Sequence, residues 1–167
     1  KSLRAKEINI TREEEIAVLL AILLHDIGHG PFSHTLEHSI LNDVNHEILS
    51  SFIMQQINEK MNGQLTLAIQ IFENKYPRLF FHQLVSSQMD MDRLDYLRRD
   101  SFYTGVSEGT VGIERIIQML NVRENQLIID QKGIYSVEKF LMARRFMYWQ
   151  VYLHKASIAA DEILLNI

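Results

Sequence analysis

The chemistry of this chain is concentrated in the run His25-Asp26-Ile27-Gly28-His29-Gly30-Pro31-Phe32-Ser33-His34, with Glu37 and His38 one turn later. Neighbouring side chains on a regular helix point about 100° apart. A His-Asp doublet therefore shares one ion best where a helix ends and the chain turns, and Gly28 and Gly30 supply that freedom. Imidazole nitrogen with carboxylate oxygen suits Mn, Mg, Fe, Ni or Zn without sulfur. An isolated His-Asp pair reads as a helix cap beside a surface acid. Three further histidines within thirteen residues of His25 turn the reading toward a metal or phosphate site. His38 is the weakest of them and reads as a surface or structural residue.

Two later segments add to this. In Asp90-Met-Asp92-Arg93-Leu-Asp95-Tyr96-Leu-Arg98-Arg99-Asp100, residues Asp92, Tyr96 and Asp100 fall at i, i+4 and i+8, one stripe of a helix. A metal-binding carboxylate, an aromatic hydroxyl and a second acid make a pocket wall, while Leu94 and Leu97 face a core. Taken alone, the segment reads rather as a solvated, ion-paired helix. Arg144, Tyr148, Tyr152 and Lys155 form a second stripe, with cations at its ends to grip phosphate and tyrosines to stack on a base. Taken alone, a tyrosine stripe at helical spacing is more often plain packing.

Helices must position these groups. Only two prolines and seven glycines interrupt 167 residues. Thr11 and Glu14 have capping-box spacing, and the apolar run 16–24 predicts a helix buried on most sides, ending near His25-Asp26. Asn45 caps a helix reaching about Met61. Further helices are expected at 65–74, 78–87, 89–100 and 111–120. Residues 126–129 and 134–137 flank Asp130-Gln131-Lys132-Gly133 as a small β-hairpin, and one long helix is expected over 138–165. The fold class is mainly α, a single domain over 1–167.

A hydrophobic fraction of 47%, a charged fraction of 23% and a net charge of −4 are ordinary for a globular domain and argue against broad binding to nucleic acid. The absence of cysteine excludes disulfides and thiolate metal sites and makes a reducing cytoplasm the default location. No apolar run reaches membrane-spanning length. The chain opens on Lys1 and stops at Ile167 within an apolar-periodic stretch, so an internal piece of a longer protein is expected.

His25-Asp26, the Gly-His-Gly-Pro-Phe-Ser-His run and Asp92-Arg93-Leu-Asp95-Tyr96 resemble the HD superfamily of phosphohydrolases. The match is closest to its deoxynucleoside triphosphate triphosphohydrolase branch. His46-Glu47 and Tyr152-Leu153-His154-Lys155 match segments of the same branch. The resemblance implies an HD-domain helical bundle, a homo-oligomer, a dNTP substrate, and a divalent metal held by His25, Asp26 and Asp92. The family's fourth ligand is a histidine on a preceding helix. None precedes His25 here, so it is expected upstream of Lys1 or missing. By the same resemblance Arg93, Tyr96, Asp100, Arg144 and Tyr152 contact substrate. His29 and His34 lie beside the phosphates, and His46 is a further active-site histidine oriented by Glu37 or Glu47.

Two departures touch the nucleotide. Leu153 stands where the branch carries Gln, and Tyr148 where its human member carries His. The implied reaction is metal-assisted cleavage between the α-phosphate and the 5′-oxygen, releasing nucleoside and tripolyphosphate. His34, or alternatively His46, protonates the leaving oxygen. A phosphatase or phosphodiesterase using the same metal ligands, and a non-catalytic nucleotide-binding or oligomerising module, are the rival readings.

Overall fold

A computed structural model describes residues 1–40 and 45–166, the side chains of 37–40 excepted. Thr11 caps α1 (Arg12–Leu24) with the full reciprocal box: its hydroxyl accepts from Glu14 N, and the Glu14 carboxylate accepts from Thr11 N. That carboxylate is buried and also receives Tyr76 Oη at 2.7 Å and Arg78 Nη1 at 2.6 Å, so one acid fastens the start of α1 to the segment before α5. The chain continues through α2 (Ser33–Ile40), α3 (His46–Lys60), α4 (Thr66–Phe72), α5 (Leu79–Val85), α6 (Met91–Thr104) and α7 (Ile113–Met119). Strands β1 (Leu120–Arg123) and β2 (Gln126–Ile129) follow, then α8 (Ile134–Met147) and α9 (Lys155–Leu165).

Two apolar clusters fill the interior. Ala17, Ala21, Met54, Ile71, Phe80 and Phe81 join α1, α3, α4 and α5. Leu94, Leu97, Ile116, Phe140 and Met147 join α6, α7 and α8. Met91 and Ile129 touch both, so the first turn of α6 is wedged between the clusters. No helix among the described residues is long and apolar enough to cross a membrane.

The mainly helical fold with one small hairpin is as expected, but three local expectations are corrected. The hairpin lies upstream: residues 126–129 form a strand, yet they pair antiparallel with Leu120–Arg123, not with 134–137. Glu124 and Asn125 make the two-residue turn with φ of 51° and 65°, the geometry that matches strand twist. Asp130-Gln131-Lys132-Gly133 instead forms a 3₁₀ turn leading into α8. The expected long helix 138–165 is broken. After Met147 the chain widens into a π-type turn, Tyr148–Tyr152, and His154 then leaves helical geometry to cap α9, its Nδ1 accepting from Ala156 N. Finally, α1 is not buried on most sides. Glu14, Ala17 and Ala21 face α4 and α5, while Leu19 and Leu23 are 59% and 74% exposed on the opposite face.

Candidate functional site

α1 ends at Leu24, and His25 closes it with its ring turned back so that Nδ1 lies 2.7 Å from Ile22 O. A carbonyl only accepts, so Nδ1 carries the proton, and in neutral imidazole the lone pair is then on Nε2. Nε2 lies 3.2 Å from Asp26 Oδ1 and 3.5 Å from Asp92 Oδ1. It is buried and has no hydrogen-bond partner among the described residues. A bare nitrogen lone pair facing two carboxylates is repulsive unless a cation or a proton sits among them.

The structure holds that contact from both sides. Asp26 follows His25 directly in the turn. Asp92 stands in the first turn of α6, whose cap is the buried Asp90, accepting from Arg93 N at 2.7 Å and Ser87 N at 2.9 Å. The Asp92 carboxylate raises His25 to a pKa of about 9; burial opposes this, and Ile22 O and Asp26 assist. His25 in turn holds Asp92 below the usual carboxylate range against burial, helped by Arg93 and His29.

A metal ion fits the same three donors, which all lie within 4.8 Å of one another. Ligands bonded at about 2.1 Å stand about 3.0 Å apart at right angles and about 3.4 Å apart at tetrahedral angles. The His25–Asp26 and His25–Asp92 separations match that spacing. The proton on Nδ1 is the arrangement common in metal-ligating histidines.

Beside this group stands a second. His29 Nε2 is 3.5 Å from Asp26 Oδ1, and its ring stacks on His46 at 4.1 Å, with His34 edge-on to it at 4.8 Å. The nitrogens of His29, His34 and His46 also lie within 4.8 Å of one another. Gly28 makes this proximity possible. A Cβ there would stand 2.4 Å from both His46 O and Ser50 N, and Gly28 N donates to Ser50 Oγ at 2.9 Å. The end of α1 and the start of α3 thus touch backbone to backbone.

Both groups open into one cavity of about 800 Å³, which Glu47, Arg93, Tyr96, Asp100 and Tyr152 also line. Arg93 Nε is engaged by Ser87 O at 2.7 Å and Asp90 Oδ2 at 3.1 Å. Tyr152 Oη donates to Asp100 Oδ2 at 2.7 Å, and its ring meets Tyr96 at 6.1 Å. Burial, then the Asp100 carboxylate, pushes the Tyr152 phenol up, so it stays protonated and donates.

Most of the residues singled out in sequence thus meet in space: His25, Asp26, His29, His34, His46, Glu47, Asp92, Arg93, Tyr96, Asp100 and Tyr152 line one cavity. Glu37, the other expected orienting acid, and His38 have side chains outside the described residues. Arg144 departs from expectation. It does not line the cavity; its guanidinium lies 5.4 Å from the Tyr148 ring centroid, and its buried Nε has no hydrogen-bond partner among the described residues. Lys155 is exposed and likewise absent from the wall.

Sequence reasoning assigned no role to Asp90 or Ser157, both of which line the cavity. Asp90 was legible as an acid two residues before Asp92, at the cap position of the same helix. Ser157 had no signal, because the break before α9 brings it in.

Residues 3–100 match the HD domain family, and residues 111–166 match the HD associated region. A crystal structure of a phosphohydrolase from Bacteroides thetaiotaomicron is 61% identical, with a TM-score of 0.95 over 98% of this chain and 41% of that one. The uncharacterized protein YwfO of Bacillus subtilis is 40% identical over 156 residues, 89% of this chain and 36% of YwfO. The deoxynucleoside triphosphate triphosphohydrolase SAMHD1 homolog of Dictyostelium discoideum is 29% identical over 177 residues, covering 96% of this chain and 34% of that protein. The chain spans well under half the length of these relatives.

Proposed function

We propose, on the premise that this chain belongs to the HD-domain phosphohydrolases, that it is the catalytic part of an enzyme cleaving deoxynucleoside triphosphates to deoxynucleoside and tripolyphosphate. One observation carries the reading. The buried Nε2 of His25, without a hydrogen-bond partner among the described residues, faces Asp26 and Asp92 at one end of a cavity, and the Asp100–Tyr152 pair stands in the wall beyond it. Likeness to the Dictyostelium triphosphohydrolase homolog supports the substrate class.

In this reading His25, Asp26 and Asp92 hold a divalent ion, which supplies Lewis acidity to activate water and to neutralise phosphoryl charge. The chain's own side chains do the rest. Arg93, its Nε already engaged, offers its terminal nitrogens to the polyphosphate. His34 stands edge-on to His29 at the cavity wall and protonates the departing 5′-oxygen, with His46 the alternative donor. Glu47, on the same wall, orients His46.

Tyr96, Asp100 and Tyr152 form a rigid surface for the sugar, since Asp100 is one helical turn beyond Tyr96 and holds the Tyr152 hydroxyl. A ribose 2′-hydroxyl pressed against it clashes or loses its hydrogen bonds, a cost of about 1–3 kcal/mol.

The test is the full-length protein with each dNTP, NTP and deoxynucleoside monophosphate, with Mn or Mg, and products resolved by chromatography. Tripolyphosphate should appear, with dNTPs preferred over NTPs by roughly ten- to a hundredfold. Stepwise orthophosphate, or equal rates on dGTP and GTP, would replace this reading with a phosphatase acting on other phosphoesters.

A further inference from the structure

Among the acids of the cavity wall Asp90 is the most deeply buried, at 3% exposed. A buried carboxylate persists only where donors surround it. Oδ1 accepts from Arg93 N at 2.7 Å, and Oδ2 accepts from Ser87 N at 2.9 Å and from Arg93 Nε at 3.1 Å.

Capping a helix takes one oxygen, and Ser or Asn serves as well as Asp. Asp90 uses both of its oxygens. Its Oδ2 and Ser87 O, the latter at 2.7 Å, together take the Nε–H of Arg93. A guanidinium is planar, and its five N–H groups diverge at fixed angles. Holding Nε therefore sets the plane of the group and the direction of its two terminal nitrogens. Tyr96, one turn on, also interacts with the guanidinium. The Arg93 side chain remains 30% exposed, so the fork is reachable from the cavity while its anchor is not.

Charge points the same way. An uncompensated carboxylate in this wall would repel a polyphosphate, and the Arg93 cation neutralises it. Asp90 thus favours phosphate only through Arg93, and by itself opposes it.

We propose that Asp90 is the positioning residue of the phosphate clamp, its second oxygen holding Arg93 Nε so that the guanidinium fork is set toward the polyphosphate before substrate arrives. This rests on the triphosphohydrolase reading above and adds the residue that gives Arg93 its direction. A free arginine would have to be ordered on binding, whereas one already ordered gives up less entropy. Asp92 stands in the same turn, so the ion site and the clamp are built on one piece of backbone.

The experiment is steady-state kinetics of the full-length protein on dGTP at constant free Mn, with tripolyphosphate and deoxyguanosine as product inhibitors. Mn affinity is read alongside by calorimetry. Asp90→Asn and Asp90→Ser each keep an oxygen for the cap and remove the one that holds Nε. Each should raise KM for dGTP and the inhibition constant of tripolyphosphate together, by roughly ten- to a hundredfold. The kcat, the inhibition by deoxyguanosine and the Mn affinity should stay within about fivefold. In an Arg93→Ala background the sign should reverse. Adding Asp90→Asn there should leave tripolyphosphate binding unchanged or tighten it, because it removes an uncompensated charge.

Unchanged tripolyphosphate inhibition in both single variants, or equal losses for tripolyphosphate, deoxyguanosine and Mn, would make Asp90 a helix cap and overturn the proposal. A loss from Asp90→Asn as large without Arg93 as with it would do the same. Each of these results leaves the triphosphohydrolase reading intact. Failure of the wild-type protein to hydrolyse any dNTP overturns both.

Discussion

Loading a divalent cation into the His25 site should expel one proton, because in the metal-free protein that proton sits on Nε2 between two carboxylates. The pKa of about 9 fixes the size of the effect. At pH 8 the group is still protonated, so binding should release about 0.9 proton, against about 0.03 for a histidine of ordinary pKa. Apparent affinity should fall about ninetyfold from pH 8 to pH 6, where an ordinary histidine gives about fourfold. Calorimetric titration of the full chain with Mn, in buffers of different ionisation enthalpy, reads the proton count directly. The same proton should appear in stability. His25's folded pKa lies above its ordinary 6.5, so its contribution to the metal-free protein is complete below pH 6.5 and is lost as pH rises through about 9. The metal-free Tm should sag over that window, and the loaded protein should not. No proton release at pH 8, or affinity that is flat from pH 6 to 8, would mean that His25 Nε2 does not face the ion, and the argument from its lone pair would fail.

His34→Ala should keep metal affinity within about twofold and lose kcat by roughly 10²–10⁴-fold, as for a missing general acid; loss of metal with full rate restored by excess Mn would make His34 a ligand instead. Gly28→Ala places a methyl 2.4 Å from two backbone atoms of α3. It should destabilise by about 1–3 kcal/mol and lower Tm by roughly 3–10 °C, measured by thermal denaturation. An unchanged Tm would show that α3 moves away freely.

The clustered histidines were legible because residue type and density near the Gly-rich turn do not depend on knowing the fold. The convergence of Asp92 with His25 was not a matter of local spacing. It came through the family resemblance, since no periodicity relates positions 67 residues apart. The hairpin was misplaced because Gly133 is the louder turn signal, yet Glu124 and Asn125 carry the left-handed backbone. The break after Tyr152 had no proline or glycine to announce it. With it, Lys155 left the wall it was expected to share with the tyrosines, whereas Arg144, upstream of the break, packs against Tyr148 without lining the cavity. α1 misled differently: an all-apolar helix hides which face the core takes, and the small residues Ala17 and Ala21 won, because they let α4 approach closely.

The backbone contact at Gly28 also bears on how such a sequence can drift. Side-chain packing sets the distance between most pairs of helices, and each core substitution moves it by a few tenths of an ångström. Between the end of α1, which carries His25 and Asp26, and the start of α3, which carries His46, there is no side chain from Gly28 to change. Covalent geometry and one hydrogen bond, Gly28 N to Ser50 Oγ, set that separation instead. Displacement at phosphorus tolerates errors of less than about 1 Å in the placing of its partners. Lineages can therefore exchange Met54, Ile71 or Phe80 for other apolar residues and wander in thermal stability, while the gauge between the proposed ion and the histidine cluster stays where it was.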